Sequence, residues 1–217
     1  MEFENILKDK EKMKILARII AHLMGDGCVT DRYFAYYNKN EFLLNKYKND
    51  ILELFGNLHI ITGQVNSGTK LIQVQNKTIL NFLKNLVKDF RSSSLEYPEF
   101  LRDIEYKREF LKAIFDDEGS VALRIFKKTN ELKRNLTIAS KSEKFLNDIK
   151  TILEKDFDII SNKIIYYIKK SGEKQFTTYY LSITGKENFI KFRDKINFYH
   201  PEKREKLNLM IKSYLKK

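Results

Sequence analysis

The sequence predicts an α+β fold of two pseudo-symmetric αββαββα halves. Each half is a four-stranded antiparallel sheet curved into a saddle, and the halves join at two packed helices. Three observations carry this expectation. A nine-residue stretch occurs twice, at residues 19–27 and 111–119, and internal repetition constrains the architecture before any local reading does. The same order of helix-like and strand-like periodicities follows each copy. The one linker-like run, residues 91–95 with consecutive serines, lies between the copies and sets the halves at residues 1–95 and 96–217.

In the first half, residues 1–12 are dense in charge and read as a lead-in or a short helix. Residues 14–25 form the first repeat helix. His22 stands alone there among apolar neighbours and is read as structural. Two short strands occupy residues 28–38 around a turn at Asp31 and Arg32; Tyr33, Ala35 and Tyr37 alternate with Phe34, Tyr36 and Asn38. Residues 41–55 place Phe42, Leu44, Tyr47, Ile51 and Phe55 at amphipathic helical spacing. A hairpin over residues 59–65 and 70–75 turns at 66–68 and sets Leu71, Gln73 and Gln75 on one face. A helix over residues 78–90 follows.

In the second half, Tyr97-Pro98-Glu99 opens a short helix and residues 107–117 form the second repeat helix. Strands over residues 120–127 and 132–139 pair across 129–131, and a helix covers 141–155. Strands over residues 163–169 and 176–184 pair across Ser171 and Gly172, and a helix covers 185–196. Pro201, suited to a first helical turn, opens a last helix through residue 215.

With 217 residues, 42% of them apolar, the chain can bury a real core. Its formal net charge of +12 calls for a polyanionic partner, nucleic acid first. Ribosomal and other RNA-binding proteins share that signature. The single cysteine, Cys28, excludes an internal disulfide framework and a cysteine-built zinc site. The first residues do not form a secretory leader, and no apolar run reaches membrane-spanning length. The expectation is a cytoplasmic protein without a membrane partner.

Each copy of the repeat ends in an acid and a glycine, Asp26-Gly27 and Glu118-Gly119. Glycine is an ordinary helix stop. A carboxylate at a helix C-terminus is disfavoured by the helix dipole. Two carboxylates at matching positions therefore call for a compensating positive charge, and a divalent cation such as Mg²⁺ supplies it with oxygen ligands. Ala21 and Gly25 share one helix face, so the repeat helices can approach closely there.

These residues resemble the two motifs of the LAGLIDADG homing endonucleases in their single-chain form. Residues 19–27 are similar to the archaeal and intein-type variant ending Gly-Asp-Gly, and residues 111–119 to the variant ending Asp-x-Glu-Gly. Asp117 departs from the small residue usual at its position. The resemblance runs from about residue 13 onward and implies a site-specific DNA endonuclease that leaves short 3′ overhangs in a long duplex target. It implies Asp26 and Glu118 as ligands of Mg²⁺, for which Mn²⁺ can substitute, with main-chain carbonyls at Gly25 and Asp117 completing the coordination. The metal would polarise the scissile phosphates, help acidify the attacking water and stabilise the leaving 3′ oxygen. Water-positioning roles fall on Asn38, Lys39 and Lys141. Lys39 and Lys141 match the family's lysine, whereas Asn38 and Ser140 stand where Gln is common. Lys203, in the basic entry to the last helix, would face a phosphate, and Asp116 would be a structural hydrogen-bonding residue.

A four-stranded antiparallel sheet can lie in a major groove, as β-ribbon readers do. The nominated DNA contacts are Arg32, Gln73 and Gln75 in the first half and Arg124, Lys133, Asn135, Lys163, Tyr167 and Lys169 in the second. Amides suit adenine, and Arg and Lys suit guanine or phosphate. Arg134 interrupts the apolar face of its strand. Proteins of the resembled family also include intron RNA maturases and DNA-binding regulators that do not cleave, so these stand as alternatives, with intron RNA as a second partner. The chain has neither a Cys or Ser start nor a terminal His-Asn, which leads to the expectation of a free-standing, intron-encoded protein. Two motifs in one chain lead to the expectation of a monomer.

Overall fold

The computed structural model describes residues 3–65, 68–126, 131–171 and 174–214. By contacts the chain forms two compact units, Met1–Arg91 with Pro98–Asp117, and Ser92–Tyr97 with Glu118–Lys217.

The first unit contains α1 (Phe3–Lys8), α2 (Lys10–Met24), β1 (Gly27–Val29), β2 (Phe34–Asn38), α3 (Glu41–Phe55), β3 (Ile60–Gln64), β4 (Lys70–Val74) and α4 (Lys77–Leu86). It also holds α5 (Ile104–Glu118) up to Asp117. Its antiparallel sheet has the order β1-β2-β4-β3. Helix α2, the first repeat helix, starts at Lys10 rather than residue 14, because the Asp9 carboxylate accepts from the amides of Glu11 and Lys12. From Ile15 to Met24 every residue is buried, the mark of a core helix. On the inner face of the sheet Phe34 and Tyr36 lie opposite Val74 and Ile72, all buried. Helix α3 packs on α2, β2 and β4. It has the expected bounds, capped by Asn40 Oδ1 on the Leu43 amide and stopped at Gly56, whose φ of +83° favours glycine.

Two local expectations fail for identifiable reasons. Helix α4 ends at Leu86, short of residue 90, because Val87 turns extended (φ −122°, ψ 122°) and buries its branched side chain. No helix opens at Tyr97-Pro98-Glu99. The Pro98 carbonyl instead accepts from the Leu101 amide in a turn that buries Leu101. Helix α5, the second repeat helix, then starts at Ile104, behind Asp103, whose carboxylate accepts from the Glu105 amide.

The second unit contains β5 (Gly119–Phe126), β6 (Glu131–Ser140), α6 (Glu143–Phe157), β7 (Ile165–Ser171), β8 (Lys174–Ile183), α7 (Lys186–Lys195) and α8 (Pro201–Lys212). Its antiparallel sheet repeats the first order, β5-β6-β8-β7. Leu136, Ile138, Leu181 and Ile183 form a buried inner face, and α6 packs on β6 and β8. Arg134 has a specific use on that face. Its guanidinium donates to the hydroxyl and carbonyl of Ser213 at 2.8 and 2.9 Å and lies over the Tyr214 ring, so it caps α8, which ends at Lys212. Strand β7 starts at Ile165, which leaves Lys163 outside it. The expected turns at 66–68, 129–131 and 171–172, and the end of the last helix at 215, fall wholly or partly outside the described residues. Among the described residues no helix is long and apolar enough to cross a membrane.

Gly27 sits where a Cβ would overlap the Cα and carbonyl of Leu23, backbone atoms that cannot yield without unwinding the end of α2. Gly27→Ala is expected to lower the unfolding free energy by about 3 kcal/mol. A Cβ on exposed Gly63 would meet only the Leu71 side chain, at 3.7 Å, so Gly63→Ala should stay within about 0.5 kcal/mol of the parent. Urea denaturation of the two variants checks the contrast.

Candidate active site

Within the first unit the two repeat helices run in the same direction. Arg18 Nη1 on α2 meets Glu109 Oε2 on α5 at 2.9 Å, and one turn on His22 Nδ1 meets Asp117 Oδ2 at 2.9 Å. The helices come close at Gly25, where a Cβ would stand 2.8 Å from Asp117 Cβ. Glycine is therefore required at 25 because aspartate occupies 117, where the resembled motif usually has a small residue.

The side chains of Asp117 and His22 are both fully buried. Such a carboxylate is tolerable only when paired and hydrogen-bonded. Asp117 accepts from the Tyr36 hydroxyl at Oδ1 (2.7 Å) and faces His22 at Oδ2. A carboxylate only accepts, so His22 Nδ1 carries the proton. Burial pushes the His22 pKa down, but the charge and hydrogen bond of Asp117, helped by Asp116 and Asp50, outweigh it and hold the imidazole above its usual value. Burial, then Asp117, push the Tyr36 phenol far up, so it remains a neutral donor. As a residue Asp117 is partly exposed although its side chain is not, so what it presents is main chain.

Asp26 is exposed. Asn38 Nδ2 lies 3.3 Å from Asp26 Oδ2 and 2.9 Å from the Tyr36 hydroxyl oxygen, while Asn38 Oδ1 accepts from the Asn40 amide at 2.9 Å. The Tyr37 amide donates to the Asp26 carbonyl at 3.1 Å. The structure thus joins Asn38 to Asp26 directly. Lys39, beside Asn38, is exposed.

In the second unit Ser140 Oγ accepts from the Ser142 amide at 3.1 Å, the local counterpart of the Asn38–Asn40 bond. Both residues thus shape the entries to α3 and α6. Lys141 is exposed, with its ammonium 5.7 Å from the Phe176 ring centre. Lys203 lies half-buried in the first turn of α8. Glu118 is the half-buried last residue of α5, and Asp116 is buried, in keeping with a structural role. Among the described residues no three His, Cys, Asp or Glu side chains cluster as a metal site.

The sheets' outer faces carry most of the remaining nominations. In the first unit Gln73 lies opposite Ala35 and Ile61, Gln75 is exposed just past β4, and Arg32 is exposed between β1 and β2. In the second, Arg124 pairs with Lys133, Asn135 with Ala122, and Tyr167 with Thr178, all on the face opposite Leu136 and Ile138. Lys169 is placed on that face by backbone register alone, opposite Phe176. Lys163 precedes the strand and is not placed on this face. Register adds aromatic residues that the sequence reading passed over. Lys133 lies over the Phe126 ring at 4.0 Å, and Tyr167 meets Tyr180 edge-on at 5.5 Å. For Tyr180 the signal was the alternation of Phe176, Thr178 and Tyr180 along β8; Phe126 stood alone at the end of β5.

Also missed was a buried ion network behind the site. Arg18 binds Asp50 through Nε and Nη2 at 2.8 and 2.7 Å as well as Glu109, with Lys46 and Lys112 at the two acids.

Residues 105–197 match the family model described as a LAGLIDADG-like domain. The chain is 27% identical over 245 residues to the tRNA-splicing ligase RtcB of Methanocaldococcus jannaschii, covering 96% of this chain and 24% of the ligase. It is 24% identical over 204 residues to the isomerizing glutamine–fructose-6-phosphate aminotransferase of the same organism, covering 90% of this chain and 17% of that protein. The chain thus spans about a quarter or less of the length of these relatives. Among solved structures it superposes on mesophilic variants of the homing endonuclease I-DmoI with a TM-score of 0.61 at 17% identity, over 91% of this chain and 98% of that one. Full-length DUF199/WhiA from Thermatoga maritima gives a TM-score of 0.61 at 14% identity, over 97% and 64%. The α+β fold and the resemblance carried by the two nonapeptides are borne out.

Removing Arg18 would leave the buried Asp50 and the partly buried Glu109 with only the longer contacts to Lys46 and Lys112. Arg18→Met is expected to cost about 3–5 kcal/mol of stability, whereas Lys14→Met, which breaks only the surface pair with Glu11, should leave the urea midpoint unchanged.

Proposed function

We propose that this LAGLIDADG-fold chain is a site-specific endonuclease that uses divalent metal to break both strands of a long duplex DNA target. The observation that carries the reading is the way the repeat helices end. Gly25 is lodged against Asp117, and the residues that follow them directly are the acids Asp26 and Glu118.

The donors fit a hard cation. Asp26 is exposed and Glu118 partly so, and Mg²⁺ takes one or two carboxylates, with phosphate and water oxygens filling the remaining places. Asp26 and Glu118 would each offer a carboxylate to such a cation. Gly25 and Asp117 would contribute main-chain carbonyls, since the Asp117 carboxylate is committed to His22 and Tyr36. Mn²⁺ suits the same oxygens, and I-DmoI has been crystallised with DNA and Mn and with DNA and Ca. A bound metal supplies polarisation of the scissile phosphate and a more acidic water.

The chain's own residues do the rest. Asn38 orients Asp26, and Lys39 and Lys141 present cations beside the entries to α3 and α6 for water or phosphate. Lys203 offers another at the start of α8. Gln73, Gln75, Arg32, Arg124, Lys133, Asn135, Tyr167 and Lys169 face the DNA from the outer sides of the sheets and the β1–β2 turn. Lys163, displaced from β7, serves at most as a phosphate contact at its edge. One chain carries both motifs, so the working form is a monomer.

The relatives support a self-contained module. A tRNA-splicing ligase and an aminotransferase differ in the reaction their names give, yet each contains a stretch similar to most of this chain, which supports reading that stretch as a unit apart from either reaction. Binding of intron RNA, or of DNA without cleavage, would use the same basic faces but leave Asp26 and Glu118 without a purpose.

The test is a randomised duplex library incubated with Mg²⁺, Mn²⁺, Ca²⁺ or chelator. Cuts with 3′ overhangs at one long sequence are expected, absent in chelator and absent in Asp26→Asn and Glu118→Gln. Binding without cutting in every metal would replace the nuclease with a regulator or maturase. In Ca²⁺, Arg124→Ala is expected to weaken duplex binding and flatten the log K against log salt slope by about 0.9, measured by fluorescence anisotropy.

A further inference from the structure

The hydrogen bonds around Asp117 have a fixed direction. Tyr36 spends its one proton on Asp117 Oδ1, so its oxygen accepts from Asn38. The Asn40 amide can only donate, which fixes Asn38 Oδ1 toward it and turns Nδ2 toward Tyr36 and Asp26. One amide hydrogen is held by the Tyr36 oxygen, beside which Asp117 Oδ1 lies at 3.5 Å, and the other is directed to Asp26 Oδ2. The chain of bonds runs from His22 through Asp117, Tyr36 and Asn38 and ends on the exposed carboxylate.

The second half repeats the backbone of the first but, among the described residues, not the side chains of this chain of bonds. In the repeats His22 corresponds to Ile114. Gly27 pairs with Tyr36 in the first sheet and Gly119 with Ile138 in the second, so Tyr36 corresponds to Ile138 and Asn38 to Ser140. Ser140 turns its oxygen to the Ser142 amide. An apolar pair and a short hydroxyl thus stand where the first half has imidazole, phenol and amide.

We propose that His22, Asp117, Tyr36 and Asn38 are positioning residues that fix the Asp26 carboxylate for a divalent metal, a device the second half does not share for Glu118. This rests on the endonuclease reading for the presence of metal at Asp26. It also assigns a use to the departure at Asp117. The aspartate that occupies a small-residue position, at the cost of a glycine at 25, is the fixed anchor from which Asp26 is aimed. Hydrogen-bonding partners one step removed from a metal ligand set its orientation and basicity, and their loss typically weakens metal binding tenfold or more.

The experiment measures Mn²⁺ alone binding to the full chain, by the electron paramagnetic resonance signal of free Mn²⁺, so no DNA target is needed. Tyr36→Phe keeps the ring that packs on His22 and Tyr47 and removes only the hydroxyl; Asn38→Ala breaks the last bond and leaves Asp117 its short bonds to Tyr36 and His22, losing only a 3.5 Å approach. Each is expected to weaken Mn²⁺ about tenfold while the folded spectrum is retained, with Asp26→Asn abolishing the same binding. Unchanged affinity in both Tyr36→Phe and Asn38→Ala, with Asp26→Asn still abolishing it, would overturn the positioning role and leave the metal reading standing. Binding that survives Asp26→Asn would instead remove the metal from Asp26 and overturn both.

Discussion

A single buried carboxylate organises the end of the repeat helices. Asp117 sits fully buried between α2 and α5, where an unpaired charge would cost several kcal/mol. Three features make it tolerable. Gly25 gives it room, His22 supplies a protonated nitrogen from within an otherwise apolar helix, and Tyr36 supplies a hydroxyl from the inner face of β2. None of these residues is explained by its own neighbourhood. Each follows once aspartate stands at 117.

The two units answer the same topological problem with different chemistry. Their sheets have equivalent strand orders, and each repeat glycine pairs with the same position of the next strand. Beneath the first sheet lie polar groups, His22, Tyr36 and the Arg18–Asp50–Glu109 network. Beneath the second, Ile138 and Leu136 are buried, and Arg134 on the same face reaches across to cap α8. Symmetry of backbone therefore does not carry symmetry of side-chain chemistry. The first unit invests its buried polar bonds in fixing side-chain directions, whereas the second keeps its polar character on the outer face, where Lys133 and Arg124 alternate with Phe126 and Tyr167.

What the sequence disclosed follows from how local each signal is. The order of strands and helices was legible because period 2 and period 3.6 are written in consecutive residues, and α3 was placed to the residue by Asn40 and Gly56. The errors arose where one residue overrode a pattern, as when Val87 left the helix early and Pro98 made a turn instead of a start. His22 was read as structural, and its partner stayed hidden because no sequence window around it contains Asp117. The clue was present in a different form. A charged residue at a position suited to a small one, and a cation on an apolar strand face, both demand compensation. Asp117 and Arg134 each found it at long range.

The same logic of compensation bears on Asp26 and Glu118. The chain carries a net charge of +12 and presents basic faces, yet it keeps a carboxylate at the end of each repeat helix, where the dipole already disfavours one. A phosphate about 4 Å from such a carboxylate is repelled by about 1 kcal/mol in water and about 4 kcal/mol at the effective dielectric of a protein surface. A protein selected only to hold a polyanion gains from neutral side chains at both places. A divalent cation between carboxylate and phosphate reverses the sign of that interaction, and its benefit grows with the accuracy with which the carboxylate is aimed. An exposed aspartate held by an amide that is itself oriented from a buried anchor meets that requirement, and a merely solvated one does not.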